Sequence, residues 1–241
     1  MPSTTKQRRL AVLGGSAGIG LAVARRLSAT GAEVTVGGRD RRRLDDARAL
    51  IGGAVTGIVV DAEDPGSLRA FFAEAGPIDD LVVTVTRRGG AGPVEDLADA
   101  DLLGAFAGKP VAHLRAIAMA LPTLSEHGSI TLVTAGSAQS ALPGTVGLAA
   151  VNGALEAAIR PLAVELAPRR VNAVSPGVIE TDWWSELADD DRVQMLATFA
   201  QRAPVGRNGT ADDVAGAIAG LISNGFITGV VLPCDGGLRL T

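Results

Sequence analysis

Short apolar runs alternate with longer amphipathic stretches along most of the chain. The short runs are continuous rather than interrupted by polar residues, which is typical of strands covered by helices on both faces. These runs predict strands at Leu10–Gly14, Glu33–Gly37, Gly57–Asp61, Leu81–Thr86, Ser129–Thr134, Arg170–Ser175 and Val230–Leu232. The longer stretches carry apolar residues at spacings of three and four and predict helices at Ile19–Thr30, Leu44–Ile51, Ser67–Ala75, Asp101–Leu124, Leu148–Ala167 and Asp212–Asn224.

This alternation predicts an α/β fold, a doubly wound parallel sheet of about seven strands with helices on both faces. No low-complexity linker or internal repeat divides the sequence, so we expect one dinucleotide-binding domain over residues 1–241. The stretch Asp182–Ala203 falls outside the alternation and follows a predicted strand end, where such sheets bind ligands. We therefore predict that residues 182–203 form a lid-like segment over a pocket.

Composition narrows the classes of function. The chain has no Tyr, so chemistry that needs a phenol is excluded. With 22 Lys and Arg against 26 Asp and Glu, the net charge is −4, which provides no global field for nucleic acid or an anionic membrane. A single Cys cannot form an internal disulfide, which suits a reducing compartment. Because Met1–Arg9 also lacks the apolar stretch of a signal peptide, we expect a cytoplasmic protein without a nucleic-acid or membrane partner.

A glycine-rich turn joins the first predicted strand to the first helix. A strand that ends in glycines and opens a helix presents bare N–H groups and the positive helix end to an anion. The spacing is G-x-x-x-G-x-G, which differs from the commoner G-x-G-x-x-G dinucleotide motif, and a tight packing turn is the alternative. We interpret the turn as a nucleotide site to which six residues contribute: Gly14, Ser16, Ala17, Gly18, Ile19 and Gly20.

The next two strand ends indicate which nucleotide binds. A carboxylate at the end of the second strand usually meets a free ribose 2′-hydroxyl, whereas an arginine meets a 2′-phosphate. Here Gly38 leaves space and Arg39 offers a guanidinium, which favours NADP(H), with NAD(H) as the alternative cofactor. Arg39 could instead belong to a solvated charged face. Asp61, followed by Ala62, could accept the adenine amino group or cap the next helix.

Several motifs in order resemble the short-chain dehydrogenase/reductase family. Leu13–Gly20 resembles its T-G-x-x-x-G-I-G cofactor motif with the leading Thr replaced, and Val171–Thr181 resembles the stretch beyond its sixth strand. Arg207–Ala215 is similar to the lead into its penultimate helix, and Thr228–Gly237 to its C-terminal signature. The resemblance covers essentially the whole chain.

This resemblance implies a nicotinamide cofactor across the C-terminal strand ends and a small-molecule carbonyl or alcohol substrate. It further implies a homotetramer or homodimer. The residues that it places against the cofactor are Val83, Pro176, Gly177, Val178 and Thr181.

The four catalytic positions of the family are all replaced. The family uses a Tyr-x-x-x-Lys pair, a Ser at the end of the fifth strand and an Asn in the long fourth helix. In the same order, the register places Leu148, Asn152, Ala135 and Lys109 at these positions. Because no Tyr occurs anywhere in the chain, a shifted alignment cannot restore the usual proton donor.

Lys109 and Asn152 look like a relocated cation and amide, and we predict Lys109, Asn152 and Ser137 as the catalytic residues. A lysine desolvated beside nicotinamide could have a lowered pKa and act as a general acid. Pro110 disfavours helical geometry at Lys109 and is expected to open the helix locally. Ser137 or Ser140 could offer a hydroxyl to a carbonyl oxygen. The alternatives are a surface lysine at a helix kink and ordinary loop serines.

Other side chains give weaker signals. Trp183 and Trp184 could cover an apolar substrate or pack against the domain, and His113 is expected to be a surface or filler residue. Cys234 is expected in the core or an interface. No Cys, His and carboxylate cluster has metal-ligand spacing, so we predict no metal site.

Two hypotheses for function follow. The first is an NADP(H)-dependent oxidoreductase with a rebuilt acid/base site. The second is a noncatalytic NADP(H)-binding protein that acts as a sensor, scaffold or partner subunit. The lost tetrad favours the second, whereas the retained cofactor motifs and the lid-length segment favour the first, which we prefer.

Overall fold

A computed structural model describes residues 7–241 of the protein. Within this range the strands are β1 (Arg9–Leu13), β2 (Glu33–Gly38), β3 (Val55–Val59), β4 (Ile78–Val83), β5 (Leu124–Val133), β6 (Arg170–Pro176), β7 (Ile179–Glu180), β8 (Gly209–Thr210) and β9 (Val231–Cys234). Seven of them form a parallel sheet in the order β3-β2-β1-β4-β5-β6-β9, and β7 pairs with β8. The prediction of a doubly wound parallel sheet is confirmed.

The α-helices in the same range are α1 (Gly18–Ser28), α2 (Arg41–Ile51), α3 (Pro65–Ala75), α4 (Asp99–Phe106), α5 (Ala112–Ala120), α6 (Val146–Glu165), α7 (Asp189–Arg202) and α8 (Ala211–Ser223). A π-helical turn, Ala107–Val111, joins α4 to α5. Single 3₁₀ turns lie at Val94–Asp96, Gly136–Ala138, Asp182–Trp184 and Leu238–Leu240. None of the helices described is both long and apolar enough to cross a membrane.

The central strand β1 shows why continuous apolar runs predict this architecture. Ala11 and Leu13 belong to a core cluster that also contains residues of α3, α5 and α6. Leu10 and Val12 point to the other face, where the cluster contains residues of α1, α2 and α8. Because both faces of the strand are covered, neither set of alternate positions can be polar.

Two of the predicted strands are displaced in the same direction. The third and fourth strands begin and end two or three residues earlier than expected, at Val55–Val59 and Ile78–Val83. Two acidic residues hide the start of β4 in the sequence. Asp79 and Asp80 lie inside the strand because arginines of the first strand region neutralise them, with Arg8 Nη2 2.6 Å from Asp80 Oδ1. The residues after the true strand ends are therefore free to line a ligand site.

The predicted single helix at Asp101–Leu124 is also corrected. Pro110 does not interrupt the helix, because the residues at both ends of the π-helical turn keep right-handed helical conformations. Proline removes one N–H and displaces the carbonyl of the preceding turn, and the wider π-helical turn accommodates both effects. The chain therefore continues as α5 instead of opening.

Candidate functional site

The carboxyl ends of the central strands surround one cleft of about 1210 Å³. Its walls come from the β1–α1 turn, the loops after β2 to β6, the first half of α6 and the segment that follows β7. All but one of the residues predicted from the sequence to bind cofactor or act in catalysis line this cleft. The exception is Val83.

The glycine turn at the floor of the cleft is shaped by close backbone approaches. Gly14 has φ of +85°, and its N–H donates to the Gly37 carbonyl at 2.9 Å. A Cβ on Gly20 would collide with the carbonyl of Gly14. The turn needs glycine at these positions because a side chain would push α1 away from β1.

The start of α1 leaves room for an anion. Its N-cap residue, Ala17, makes no side-chain hydrogen bond to the helix, and the first turn carries no acidic residue. By contrast, α2, α3 and α8 are capped by Asp40, Asp64 and Thr210. The first N–H groups of a helix have no partner within the helix. Uncapped and facing the cleft, those of α1 fit a phosphate.

The end of β2 presents positive charge to the same cleft. The side chains of Arg39 and Arg43 both line it, and neither forms an ion pair within residues 7–241. Ser16 lies beside the end of β2, since a Cβ on Gly38 would be 3.0 Å from the Ser16 Oγ. Arg43 was not among the predicted site residues; it lies in the first turn of α2, which begins at Arg41.

Asp61 and Ala62 line the cleft after β3. Asp61 Oδ1 accepts from the Glu63 N–H at 2.9 Å, and Asp64 caps α3 by accepting from the Gly66 N–H at 2.8 Å. The alternative in which Asp61 caps α3 is therefore wrong. Contact of Asp61 with adenine stays a prediction.

Val83 does not line the cleft. It is the last residue of β4 and is fully buried in the core, and its contact with a cofactor stays a prediction. Thr84, Val85 and Thr86 line the cleft in its place. Thr84 Oγ1 donates towards the carbonyls of Leu13 at 3.0 Å and Gly14 at 3.2 Å, so this loop also fixes the glycine turn.

The nicotinamide-side residues implied by the family resemblance, Pro176, Gly177, Val178 and Thr181, all line the cleft. Gly177 has no space for a side chain, because a Cβ would lie 2.8 Å from the Cα of Asp235. Their contact with a cofactor stays a prediction.

Lys109 is buried in the π-helical turn with 7% of its surface exposed, so the surface-lysine alternative is wrong. Its Nζ donates to the Thr134 carbonyl at 3.2 Å and lines the cleft. Burial lowers the pKa of the ammonium to about 8, an effect that the negative charge of Glu156 partly opposes. The site therefore holds a cation that can lose its proton near neutral pH.

Asn152 and Ser137 contact each other in the wall of the cleft. Asn152 Nδ2 donates to Ser137 Oγ at 3.2 Å and to the Leu148 carbonyl at 2.9 Å. Its Oδ1 is buried without a hydrogen-bond partner. Ala135 and Leu148, at the family's Ser and Tyr positions, line the cleft with apolar side chains. The predicted catalytic residues thus bring an amine, an amide and a hydroxyl to the cleft.

Glu156 was missed in the sequence. One carboxylate oxygen accepts from Thr134 Oγ1 at 2.9 Å and Ser175 Oγ at 2.8 Å, and the other accepts from Gln139 Nε2 at 2.8 Å. It supports Thr134, whose carbonyl binds Lys109. The available signal was its position one helical turn after Asn152 on the apolar helix α6.

His113 fills space in the core and does not lie at the surface, which is one of the two alternatives expected from the sequence. It is fully buried, and its Nε2 lies 2.8 Å from the Val85 carbonyl, to which it donates. Burial, reinforced by the charge of Lys109, lowers its pKa to about 3. The neutral ring therefore anchors the loop that follows β4.

The mouth of the cleft is crossed by a contact that the sequence did not reveal. Arg88 stacks 5.0 Å from the centre of the Trp183 ring, donates to the Trp183 carbonyl at 2.5 Å and pairs with Glu186 at 2.5 Å. Trp184 donates from Nε1 to the Ile179 carbonyl at 2.8 Å. Both tryptophans line the cleft, and we call the contact of Arg88 with Trp183 and Glu186 the clasp.

The two remaining sequence predictions concern Cys234 and a metal site. Cys234 is partly buried in β9 and packs against the core cluster on the α8 side. Across residues 7–241, no group of three or more His, Cys, Asp or Glu side chains is arranged to hold a metal ion.

Comparisons with known proteins agree with this geometry. A family model described as Enoyl-(Acyl carrier protein) reductase matches residues 14–239. The 3-oxoacyl-[acyl-carrier-protein] reductase FabG of Escherichia coli (strain K12) is 32% identical over 95% of this chain and 96% of its own. Short-chain dehydrogenase/reductase ATR9 of Stachybotrys chlorohalonatus is 30% identical over 98% of this chain and 99% of its own.

Solved structures show the same likeness. A small-chain dehydrogenase in complex with NADPH is 31% identical, with a TM-score of 0.84 over 98% of this chain and 100% of that one. A short-chain dehydrogenase/reductase from Brucella melitensis is also 31% identical, with a TM-score of 0.89 over 96% of each chain.

Proposed function

The chain belongs to the short-chain dehydrogenase/reductase family, and from that premise we propose that it is an NADP(H)-dependent oxidoreductase acting on a small or medium carbonyl or alcohol. One observation carries the proposal: the nucleotide-binding turn and the buried amine of Lys109 line the same continuous cleft. A protein that only bound a nucleotide would not need a desolvated cation at the far end of that cleft.

The residues present fit the cofactor. The uncapped first turn of α1 would hold the diphosphate, and Arg39, Arg43 and Ser16 would hold the 2′-phosphate. Gly177 and Thr181 lie where the resemblance expects the nicotinamide half. When bound, NADP(H) supplies or accepts the hydride.

Lys109 would act on the substrate oxygen. In a site partly closed to water, its ammonium stabilises negative charge on that oxygen more strongly than it would in bulk solvent. A pKa of about 8 keeps most of the side chain protonated at pH 7 while leaving the proton transferable. Asn152 and Ser137 would orient the same oxygen by neutral hydrogen bonds.

The test is anaerobic mixing with NADPH and a panel of aldehydes and ketones, followed through the loss of NADPH absorbance. Lys109→Met keeps much of the stem volume and removes the charge. We expect it to lower turnover by ~10²-fold or more while leaving NADPH binding nearly intact. Lys6→Met, the same substitution at the chain's other lysine, is the matched control and is expected to keep full turnover. Unchanged turnover in Lys109→Met would remove Lys109 from the mechanism.

A noncatalytic NADP(H)-binding protein is the second candidate. It is favoured by the loss of both family hydroxyls, since Ala135 and Leu148 present only carbon to the cleft. Tight NADPH binding without turnover on any member of the panel would support this second candidate over the first.

A further inference from the structure

Glu156 is a charged residue beside the cleft that the proposed chemistry does not use. It is partly buried in α6, and its carboxylate accepts from three uncharged groups: Thr134 Oγ1 at 2.9 Å, Ser175 Oγ at 2.8 Å and Gln139 Nε2 at 2.8 Å. Within residues 7–241, no lysine or arginine forms an ion pair with it. Burial of a carboxylate costs free energy unless hydrogen bonds or an opposite charge compensate it. The three hydrogen bonds therefore hold a negative charge near the cleft without neutralising it.

Thr134 connects this carboxylate to Lys109. Thr134 is buried and directly follows β5; its hydroxyl donates to Glu156, and its carbonyl accepts from Lys109 Nζ at 3.2 Å. One residue thus separates the ammonium from the carboxylate, and a shift of the carboxylate would move the carbonyl that holds the amine. The negative charge of Glu156 also opposes the effect of burial on the pKa of Lys109.

Gln139 connects the same carboxylate to Ser137. Gln139 follows the 3₁₀ turn Gly136–Ala138, whose middle residue is Ser137. The amide of Gln139 donates to Glu156. Asn152, one helical turn before Glu156 on α6, donates to Ser137 Oγ at 3.2 Å. The turn that carries Ser137 is therefore fastened to α6 at two points, and one of them is Glu156.

The other titratable and charged groups around Lys109, within residues 7–241, supply no counter-charge. His113, on α5, is neutral because burial, reinforced by the charge of Lys109, lowers its pKa to about 3. Glu63 and Arg87 lie beside the residue before Lys109, but they pair with each other at 3.4 Å. Glu156 is the group whose charge favours the ammonium form of Lys109.

We propose that Glu156 is the positioning residue of the site, which supplies the counter-charge of Lys109 through Thr134. It also holds the turn that carries Ser137 through Gln139. The inference deepens the proposed function and rests on it only for the reaction that Lys109 assists. The effect of Glu156 on the charge of Lys109 can be measured without NADP(H) or substrate, so the two proposals can fail separately.

The experiment follows the titration of the amine by NMR in the full chain without cofactor. Lysine labelled with carbon-13 at Cε gives two signals, because Lys6 and Lys109 are the two lysines of the chain, and Lys109→Met assigns them. Glu156→Gln keeps the size of the side chain and removes its charge, and Gln139 can rotate its amide to accept from the new NH₂ group. We expect the midpoint of Lys109 to fall by about one pH unit below its value of about 8, while that of Lys6 stays unchanged.

Glu165→Gln is the matched control, because Glu165 is an exposed carboxylate at the end of the same helix. It is expected to leave both midpoints unchanged. An unchanged Lys109 midpoint in Glu156→Gln would overturn the inference, as would an equal shift in Glu165→Gln.

Turnover with NADPH is measured separately on the same variants. At pH 6, where Lys109 is largely protonated in both proteins, Glu156→Gln is expected to lower turnover by ~10-fold, because the groups that meet the substrate are displaced. The decline of turnover at alkaline pH is expected to move to lower pH by the same interval as the NMR midpoint. Full turnover in Glu156→Gln, or a decline that does not move, would reject Glu156 as the positioning residue.

Glu156→Asp separates charge from position. The shorter side chain keeps the negative charge but cannot reach all three donors, so we expect a Lys109 midpoint close to that of the natural chain and lower turnover. This variant decides the question if circular dichroism shows that Glu156→Gln is unfolded, because full turnover in Glu156→Asp would overturn the positioning role. A shifted midpoint in Glu156→Gln, combined with no turnover of the natural chain on any substrate, would retain the counter-charge and reject the oxidoreductase.

Discussion

At the residue scale, Lys109 is buried in surroundings that disfavour its positive charge. Its pKa in the folded state, about 8, lies below the ordinary lysine value of 10.5. Lysine is charged when it is protonated, and the lowered pKa means that the folded protein disfavours this charge. Below pH 8 the charged side chain therefore destabilises the fold. The penalty disappears as the pH rises through the window between 8 and 10.5, because the amine becomes neutral in the folded state first.

Lys109→Met should therefore be more stable than the natural chain at pH 7, with the advantage shrinking towards pH 10. The gap of about 2.5 pH units between the folded pKa and the ordinary value limits this gain in unfolding free energy to an upper bound on the order of 3 kcal/mol. Urea unfolding of both proteins at pH 7 and pH 10 measures the difference. A difference in unfolding free energy that does not change with pH would show that the amine is solvated in the fold.

A second prediction for a single residue is that Arg39 determines the preference for NADPH over NADH. We expect NADPH to bind more tightly than NADH and Arg39→Ala to remove most of that preference. Losing a charge-assisted phosphate contact should weaken NADPH binding by ~1.5–3 kcal/mol and leave NADH binding little changed. Dissociation constants from fluorescence titration measure both, and Arg41→Ala, a neighbouring arginine outside the cleft, is the control. Equal affinities for the two cofactors in the natural chain would contradict the assignment.

At the scale of elements, the segment over the cleft is held by few contacts. No residue of α7 is buried, and the segment before it reaches the loop after β4 through the clasp. Elements with few buried apolar contacts open at low free energy. We therefore still expect residues 182–203 to act as a lid, which stays a prediction.

Arg88→Ala is predicted to speed amide exchange in residues 182–188. The clasp combines a partly exposed ion pair with a cation–π contact, together worth about 1 kcal/mol, or roughly a fivefold change in exchange rate. Arg87→Ala is the matched control, because Arg87 also lines the cleft but pairs with Glu63 instead. Exchange in that segment that is equally slow in both variants would show that the lid is held by other contacts.

The elements that could be predicted from the sequence are those whose defining residues are close together along the chain. The strand–glycine–helix turn could be recognised because its glycines, Gly14 and Gly20 among them, are close together in the sequence. Glu156 and Arg88 could not, since their partners, such as Thr134 and Trp183, are separated from them by tens of residues and meet only in the fold. Val83 lies in the core and not in the cleft, because β4 ends at Val83, three residues before the end predicted at Thr86.

For the whole molecule, the order of the strands in the sheet fixes the glycine turn from both sides. The Gly37 carbonyl accepts from the N–H groups of Gly14 and Gly15 at 2.9 and 3.1 Å, and Thr84 binds the same turn from β4. The glycine turn is thus fixed by three neighbouring strands. Residue patterns predicted this sheet and named Lys109 as a candidate, but the choice between a surface lysine and a buried one needed the structure, in which Lys109 is buried.

The buried amine also gives the molecule an unusual titration curve. Proteins normally lose protons between pH 8 and 11 from many lysines and tyrosines at once. This chain has no Tyr and two Lys, and burial raises the pKa of its single Cys, Cys234. Its arginines keep their charge throughout that interval. The net charge is consequently almost constant across the alkaline range, and deprotonation of Lys109 is one of the few events there that a spectroscopic probe would record against an otherwise silent background.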